Sequence, residues 1–258
     1  MSVNSLDQAL LIQEKFLKKN MLRQFSGIET QTMKQAVRFR DFKKPLIITD
    51  ISKLGLNNTY KIFFKNTSKL AVERTKEELL RKISNPGARL QIKNKKFKAS
   101  NDLGYAQRLA KKQVEDLEKI LNNKLKFAVK NNPKITATAL KKIIADETKK
   151  FINVRVVATQ ATELNRITNA ARLELFNQTV EVKYIRFNAV MDRRTSQICQ
   201  ARHGQVFIKE DLPGDYIPPL HVRCRSYLIP FIKEMVLTSE KIINQTIERY
   251  PKKVNKLL

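Results

Sequence analysis

The chain has 258 residues, 42% of them hydrophobic, and carries 51 Lys and Arg against 24 Asp and Glu, a net charge of +27. That length admits one large domain or two modest ones, and the apolar share is enough for a core. The charge attracts polyanions, DNA and RNA first among them, and no run approaches the ~20 apolar residues of a helical membrane span.

The N-terminal MSVNSLDQALLIQEKF lacks a charged region ahead of an apolar one and does not read as a secretory leader. Apolar residues at Leu6, Leu10, Ile12, Phe16, Leu17, Met21 and Phe25 predict a helix over 5–25, with Ser5 and Gln8 placed as a capping box. It is either an ordinary core helix or a docking helix for another subunit. PLIITDI and TYKIFFKN, within 45–66, are short and rich in Ile, Phe and Tyr, so they fit a hairpin; an interrupted helical region fits the same residues. Helical spacing resumes from Leu70 to Ser84 and breaks at Asn85-Pro86-Gly87.

RLQIKNKKFK, residues 89–98, is the densest basic run, with Phe97 inside it. Lys93, Lys95, Lys96 and Lys98 could grip phosphates there, and the plainer reading is a solvated loop. A long amphipathic helix is predicted over 103–131, apolar at Leu103, Ala106, Ala110, Val114, Leu117, Leu121, Leu125 and Ala128. Its other face carries Lys111, Lys112, Lys119, Lys124, Lys126 and Lys130, and Pro133 ends it. Further helices are predicted over 136–149 and 151–178, the second through Val154, Val157, Ala161, Leu164, Ile167, Ala171 and Leu175. That last helix is rich in Thr and Asn, which disfavour helix, so side chains such as Asn165, Asn169 and Arg172 are expected to face partners. Residues 180–190 alternate as a strand; 206–208 and 226–231 are further strands, and 236–258 is a basic tail holding a short helix. The basic surplus sits mainly in residues 1–150, at +20, against +7 for 151–258.

The two cysteines and two histidines all fall within 26 residues, as Cys199, His203, His221 and Cys224. Two ligand pairs joined by a loop are how tetrahedral zinc sites are built, with Cys199 and His203 sharing a helix face and His221 and Cys224 on a turn set by Pro218-Pro219. The plainer reading is a buried Cys199 and hydrogen-bonded turn histidines. A Cys199–Cys224 disulfide does not suit the reducing, intracellular place of synthesis that two cysteines in a chain this long indicate. A nuclease using Asp192, His203 and His221 suits the charge but lacks a recognisable metal hairpin. There is no phosphate-cradling loop, GxSxG or HExxH, and with six glycines in the chain a nucleotide pocket is not expected.

Thr162-Glu163 on a helix, the strand Ile185–Val190, Asp192-Arg193-Arg194-Thr195 leading to Cys199, and Pro219-Leu220-His221-Val222-Arg223-Cys224-Arg225 resemble the phage head morphogenesis, or MuF-like minor capsid, proteins. The resemblance covers about 151–231. It implies a structural role in the virion, assembled in the host cytoplasm, with the portal protein and other head proteins as partners, and in some relatives contact with double-stranded DNA. It gives structural roles to Thr162, Glu163, Asp192, Arg194, Thr195, Pro219 and Arg225. Asp192 and Arg194 are expected to form a buried pair that fixes the turn into Cys199. The expected fold is α+β: a basic helical part over 1–150, a small domain with a short antiparallel sheet over 151–235, and the tail. No enzymatic activity is expected. Zinc, if bound, is structural, and DNA is held without sequence preference through Lys93, Lys95, Lys96, Lys98, Lys111, Lys112, Lys119 and Lys126. The alternatives are the nuclease and a general nucleic-acid-binding protein with a small zinc site.

Overall fold

A computed structural model describes residues 3–42, 45–48, 55–94 and 103–232. It is α+β, with the helices first and a small sheet near the end. Lys95, Lys96, Phe97, Lys98 and the tail from 233 lie outside the described residues. Two compact units divide the chain, and neither is one continuous stretch: residues 1–67 with 101–161, and residues 68–100 with 162–258. Residues 68–100, placed by the linear reading in the basic N-terminal part, thus group with the Cys/His segment.

The first unit is helical. Helix α1 runs Val3–Phe42, far beyond the predicted 5–25, and Ser5 lies inside it rather than at its cap. Its buried stripe is Leu17, Met21, Phe25, Ile28 and Thr32, stepping by three or four. Ile12 falls off that stripe and is exposed. Helix α2 is Leu56–Lys82, so TYKIFFKN is helix and there is no hairpin. The residues that looked strand-like recur at helical spacing: Leu56, Tyr60, Phe63, Phe64 and Thr67 are all buried. Burying that one stripe outweighs the local β preference of Tyr, Ile and Phe.

Residues 45–48 belong to no helix or strand, and their backbone pairs with side chains. The Asn122 amide bonds both the N–H and the carbonyl of Leu46, at 2.8 and 3.1 Å. Gln35 does the same for Ile47, at 2.9 and 2.8 Å. Helix α3 is Pro86–Asn94, so the first half of the basic run is helix rather than loop. Asn85 caps it by accepting from Ala88 N at 3.1 Å, and Pro86 sits in the first turn, where its missing N–H costs nothing. The Asn-Pro-Gly break therefore ends one helix and starts the next.

Helix α4 spans Leu103–Asn131, with Ala106, Ala110, Val114, Leu117, Leu121 and Leu125 buried as predicted. Each such leucine contributes about 1.5–3 kcal/mol of transfer free energy. Helix α5, Ala137–Phe151, starts at Thr136, whose hydroxyl accepts from Ala139 N at 3.2 Å. One π-helical turn, Ile152–Val156, links it to α6, Val157–Asn177. The wider turn shifts the phase of the apolar face. Ile152 and Val156 are buried, while Val154, predicted to face the core, is 54% exposed.

The second unit holds the sheet, order β2-β1-β3, antiparallel throughout: β1 Val182–Asn188, β2 Val206–Ile208 and β3 Tyr227–Ile232. Val182 pairs with Ile232 but Tyr184 with Phe231, so β1 carries one extra residue. That bulge lets Val182 join Ile185 and Phe187 in the core, which strict alternation would forbid. Their core partners include Leu79, Ile92, Leu175, Phe176, Cys199, Cys224 and Leu228.

β3 is an edge strand, and α6 covers its free edge. Asn165 and Asn169 donate to Ser226 O at 2.8 and 3.2 Å. Asn169 also accepts from Leu228 N at 3.0 Å, and Arg172 Nε donates to Leu228 O at 2.7 Å. These are the side chains expected to face partners, and the partner is backbone. Arg172 also holds Glu78 of α2 at 2.5 Å. Burial pushes the Glu78 carboxyl up, but Arg172 and Lys82 outweigh it and leave the pKa below the ordinary value.

Candidate functional site

The short helix α7, Gln197–Arg202, begins at Ser196, which caps it, and buries Cys199 in its first turn. Across from it the segment after the cis Pro218–Pro219 peptide turns through His221–Cys224, with Cys224 N donating to His221 O at 3.1 Å. Arg223 sits in this turn at φ 59°, left-handed backbone that costs a side-chain-bearing residue energy. Its N–H donates to Thr162 Oγ1 of α6 at 2.9 Å, which gives the Thr162 of the family-like motif its role. Glu163 beside it is buried and takes Arg166 Nε at 2.7 Å.

Cys199 Sγ, His221 Nε2 and Cys224 Sγ converge, all within 4.8 Å of one another. Cys199 Sγ lies 3.2 Å from His221 Nε2 and 3.8 Å from Cys224 Sγ, and both cysteines are free. Zinc at its usual bond lengths sets tetrahedral edges of about 3.8 Å between two sulfurs and about 3.6 Å between sulfur and nitrogen. The donor set therefore suits a zinc-like ion and the sulfur–sulfur spacing matches it, while the sulfur–nitrogen distance is shorter than that edge. His221 Nδ1 lies 2.9 Å from Val222 O. A carbonyl only accepts, so the ring proton sits on Nδ1 and Nε2 keeps its lone pair for the cluster.

His203 does not join. Helix α7 ends at Arg202, so His203 caps the helix instead of sharing a face with Cys199. Its Nδ1 accepts from Ala189 N at 3.0 Å, at the end of β1. Its place beside His221 is taken by Ser196, whose Oγ is 2.8 Å from Nε2. Sequence reasoning missed Ser196; the signal was a serine three residues ahead of Cys199, at the N-cap.

The expected Asp192–Arg194 pair is also corrected. Asp192 binds both terminal nitrogens of Arg225, each at 2.6 Å, while Arg194 offers its backbone N–H at 2.8 Å and keeps its guanidinium largely exposed, 3.9 Å away. The pair lies at the surface, on a segment whose residues 190–194 are all exposed. Hydrogen bonds from Arg225, then from the Arg194 backbone, hold the Asp192 carboxyl far below the ordinary carboxylate range. Thr195 Oγ1 accepts from Asp192 N at 2.9 Å and donates to Val190 O, closing the turn. Pro219 supplies the cis peptide ahead of the cluster.

Of the lysines, Lys93 is exposed on α3, and Lys111, Lys112, Lys119 and Lys126 are exposed on α4. Lys112, Lys119 and Lys126 recur every seven residues, so they share a face about 10.5 Å apart along the axis. Lys111 is 3.7 Å from Glu115. No described helix is long and apolar enough to cross a membrane.

No curated protein and no solved structure matches the chain. A family described as Phage Mu protein F like protein matches residues 77–229, from the last turns of α2 into the middle of β3. The match reaches well upstream of 151, where the sequence resemblance begins. It covers more than half of the chain and takes in α3, α6, the sheet and the whole Cys/His cluster. The chain belongs to the phage Mu protein F-like family of phage head morphogenesis proteins.

Proposed function

We propose that this is a minor head protein of the virion, assembled in the host cytoplasm, that works at the portal vertex and touches packaged DNA. The family match through the complete cluster carries this reading. The exposed lysines of α4 support the DNA part, because their spacing and exposure suit phosphate contacts that ignore sequence. Partners are the portal and other head proteins, and no small-molecule substrate is involved. The decisive experiment is protein composition and copy number of purified virions. A few copies per particle fits, and absence from particles defeats the reading in favour of a general nucleic-acid-binding protein.

The Cys/His cluster belongs to this reading as a structural zinc staple. Zinc on Cys199, His221 and Cys224 would tie α7 to the turn before β3. The nuclease alternative has less support. Asp192, its candidate acid, is engaged by Arg225, and His203 is turned to Ala189.

A further inference from the structure

Cys199 and Cys224 are free, buried thiols whose sulfurs stand 3.8 Å apart, in van der Waals contact. Bonded sulfurs stand about 2.05 Å apart, so a disulfide needs the pair to close by about 1.7 Å. A rotamer change about χ1 moves a sulfur farther than that. The chain has no third cysteine to compete for either thiol.

The two sulfurs are not equivalent. Cys199 lines a small recess with Val190, Thr195, Ser196 and His221, and Cys224 does not. The recess has room for about one water, which is the size of one oxygen of hydrogen peroxide. Cys199 is therefore the sulfur that a small oxidant meets, and Cys224 is the thiol behind it. His221 Nε2, 3.2 Å from Cys199 Sγ, holds that first thiol in place. An oxidised cysteine with a second thiol in contact condenses to a disulfide, whereas one standing alone is oxidised further.

Compartment decides which state stands. The reducing cytoplasm keeps thiols reduced, but a virion leaves it, and on virions disulfides persist. We infer that Cys199 and Cys224 form a reversible disulfide once the chain is outside the reducing cytoplasm, replacing zinc as the tie between α7 and the turn before β3. The setting rests on the virion reading above; the chemistry of the pair does not. Zinc and the disulfide exclude each other, because both use the same two sulfurs.

With hydrogen peroxide as oxidant, the Cys199 sulfur bonds one peroxide oxygen as the O–O bond breaks. The other oxygen leaves as water with the thiol proton. The Cys224 sulfur then displaces the hydroxyl from Cys199, which departs with the Cys224 proton as a second water. Each sulfur gives up one electron and the peroxide takes two. Exchange with a small thiol reverses the bond.

The test uses the full chain, freed of metal by chelator and treated with hydrogen peroxide. Mapping of the cysteine peptides is expected to show Cys199 joined to Cys224 within one chain, and dithiothreitol should restore both thiols. In glutathione buffers the native chain should favour the disulfide at least about tenfold more than the chain in urea, because the fold already holds the sulfurs together. Cys224→Ser should instead gain oxygen on Cys199. A parent that gains oxygen on its cysteines, keeps both thiols, or favours the disulfide no more than the unfolded chain overturns the inference. A chain that binds no zinc yet closes the disulfide loses the zinc staple and keeps the pair. In purified particles the chain should carry the disulfide. Free thiols there overturn the proposed setting, whereas absence of the chain from particles defeats the virion reading and leaves the pair to the peroxide result.

Discussion

Asp192 takes both terminal nitrogens of Arg225 at 2.6 Å, across 33 residues of sequence. The bond joins the turn before α7 to the residue after Cys224, and so ties the two cysteine-bearing segments together. Its carboxyl pKa is lowered, so the contribution to stability is complete above the ordinary Asp value of about 3.9 and fades as pH falls below it. Asp192→Asn is expected to melt lower than the parent by the same margin from neutral pH down to about pH 4, with the two curves converging in stronger acid. A gap that grows on acidification counts against the pair.

Arg172 is 4% exposed and serves Glu78 and the Leu228 carbonyl together. Arg172→Leu leaves Glu78 half-buried without its main partner and should cost about 3 kcal/mol, at the low end for breaking a buried pair. Urea unfolding checks it, and a loss under about 0.5 kcal/mol would place it with ordinary surface changes.

Zinc content separates the ligands. Cys199→Ser and His221→Ala should each abolish stoichiometric zinc, and chelator should lower the melting temperature of the parent. His203→Ala should keep the metal, since that ring serves Ala189. A parent purified without chelator that holds less than about 0.2 equivalents refutes the zinc staple.

Replacing Lys112, Lys119 and Lys126 by Glu should weaken binding to random double-stranded DNA and flatten the salt dependence. If each lysine neutralises one phosphate, the slope of log K against log salt falls by about 0.9 per lysine lost. Anisotropy titrations across salt concentrations measure this; an unchanged slope would move the DNA contact elsewhere on the chain.

What could be read in the sequence follows from where the deciding forces act. Helices α4 and α5 were legible because their apolar spacing and Pro133 agree. The sheet strands were legible by alternation, but the extra residue in β1 was not, because only pairing with β3 reveals it. TYKIFFKN misled because its residue types favour strands while their spacing favours helix, and packing chose spacing. The π turn, which exposes Val154, leaves no local mark. At the cluster, three of four expected ligands converge. His203 failed because α7 is six residues long and stops one short of it. Arg225 rather than Arg194 as partner of Asp192 is a long-range choice, invisible to neighbour-based reading.

The ladder from α6 to β3 works as a vernier. Asn165, Asn169 and Arg172 advance about 1.5 Å per residue along a helix, while the groups they engage, at Ser226 and Leu228, advance about 3.3 Å per residue along a strand. Two scales of unequal pitch coincide at one setting only, so β3 cannot slide by a residue and keep these bonds. Cys224 lies two residues before the first graduation. The 3.8 Å between the thiols is thus gauged by a helix that contributes neither sulfur.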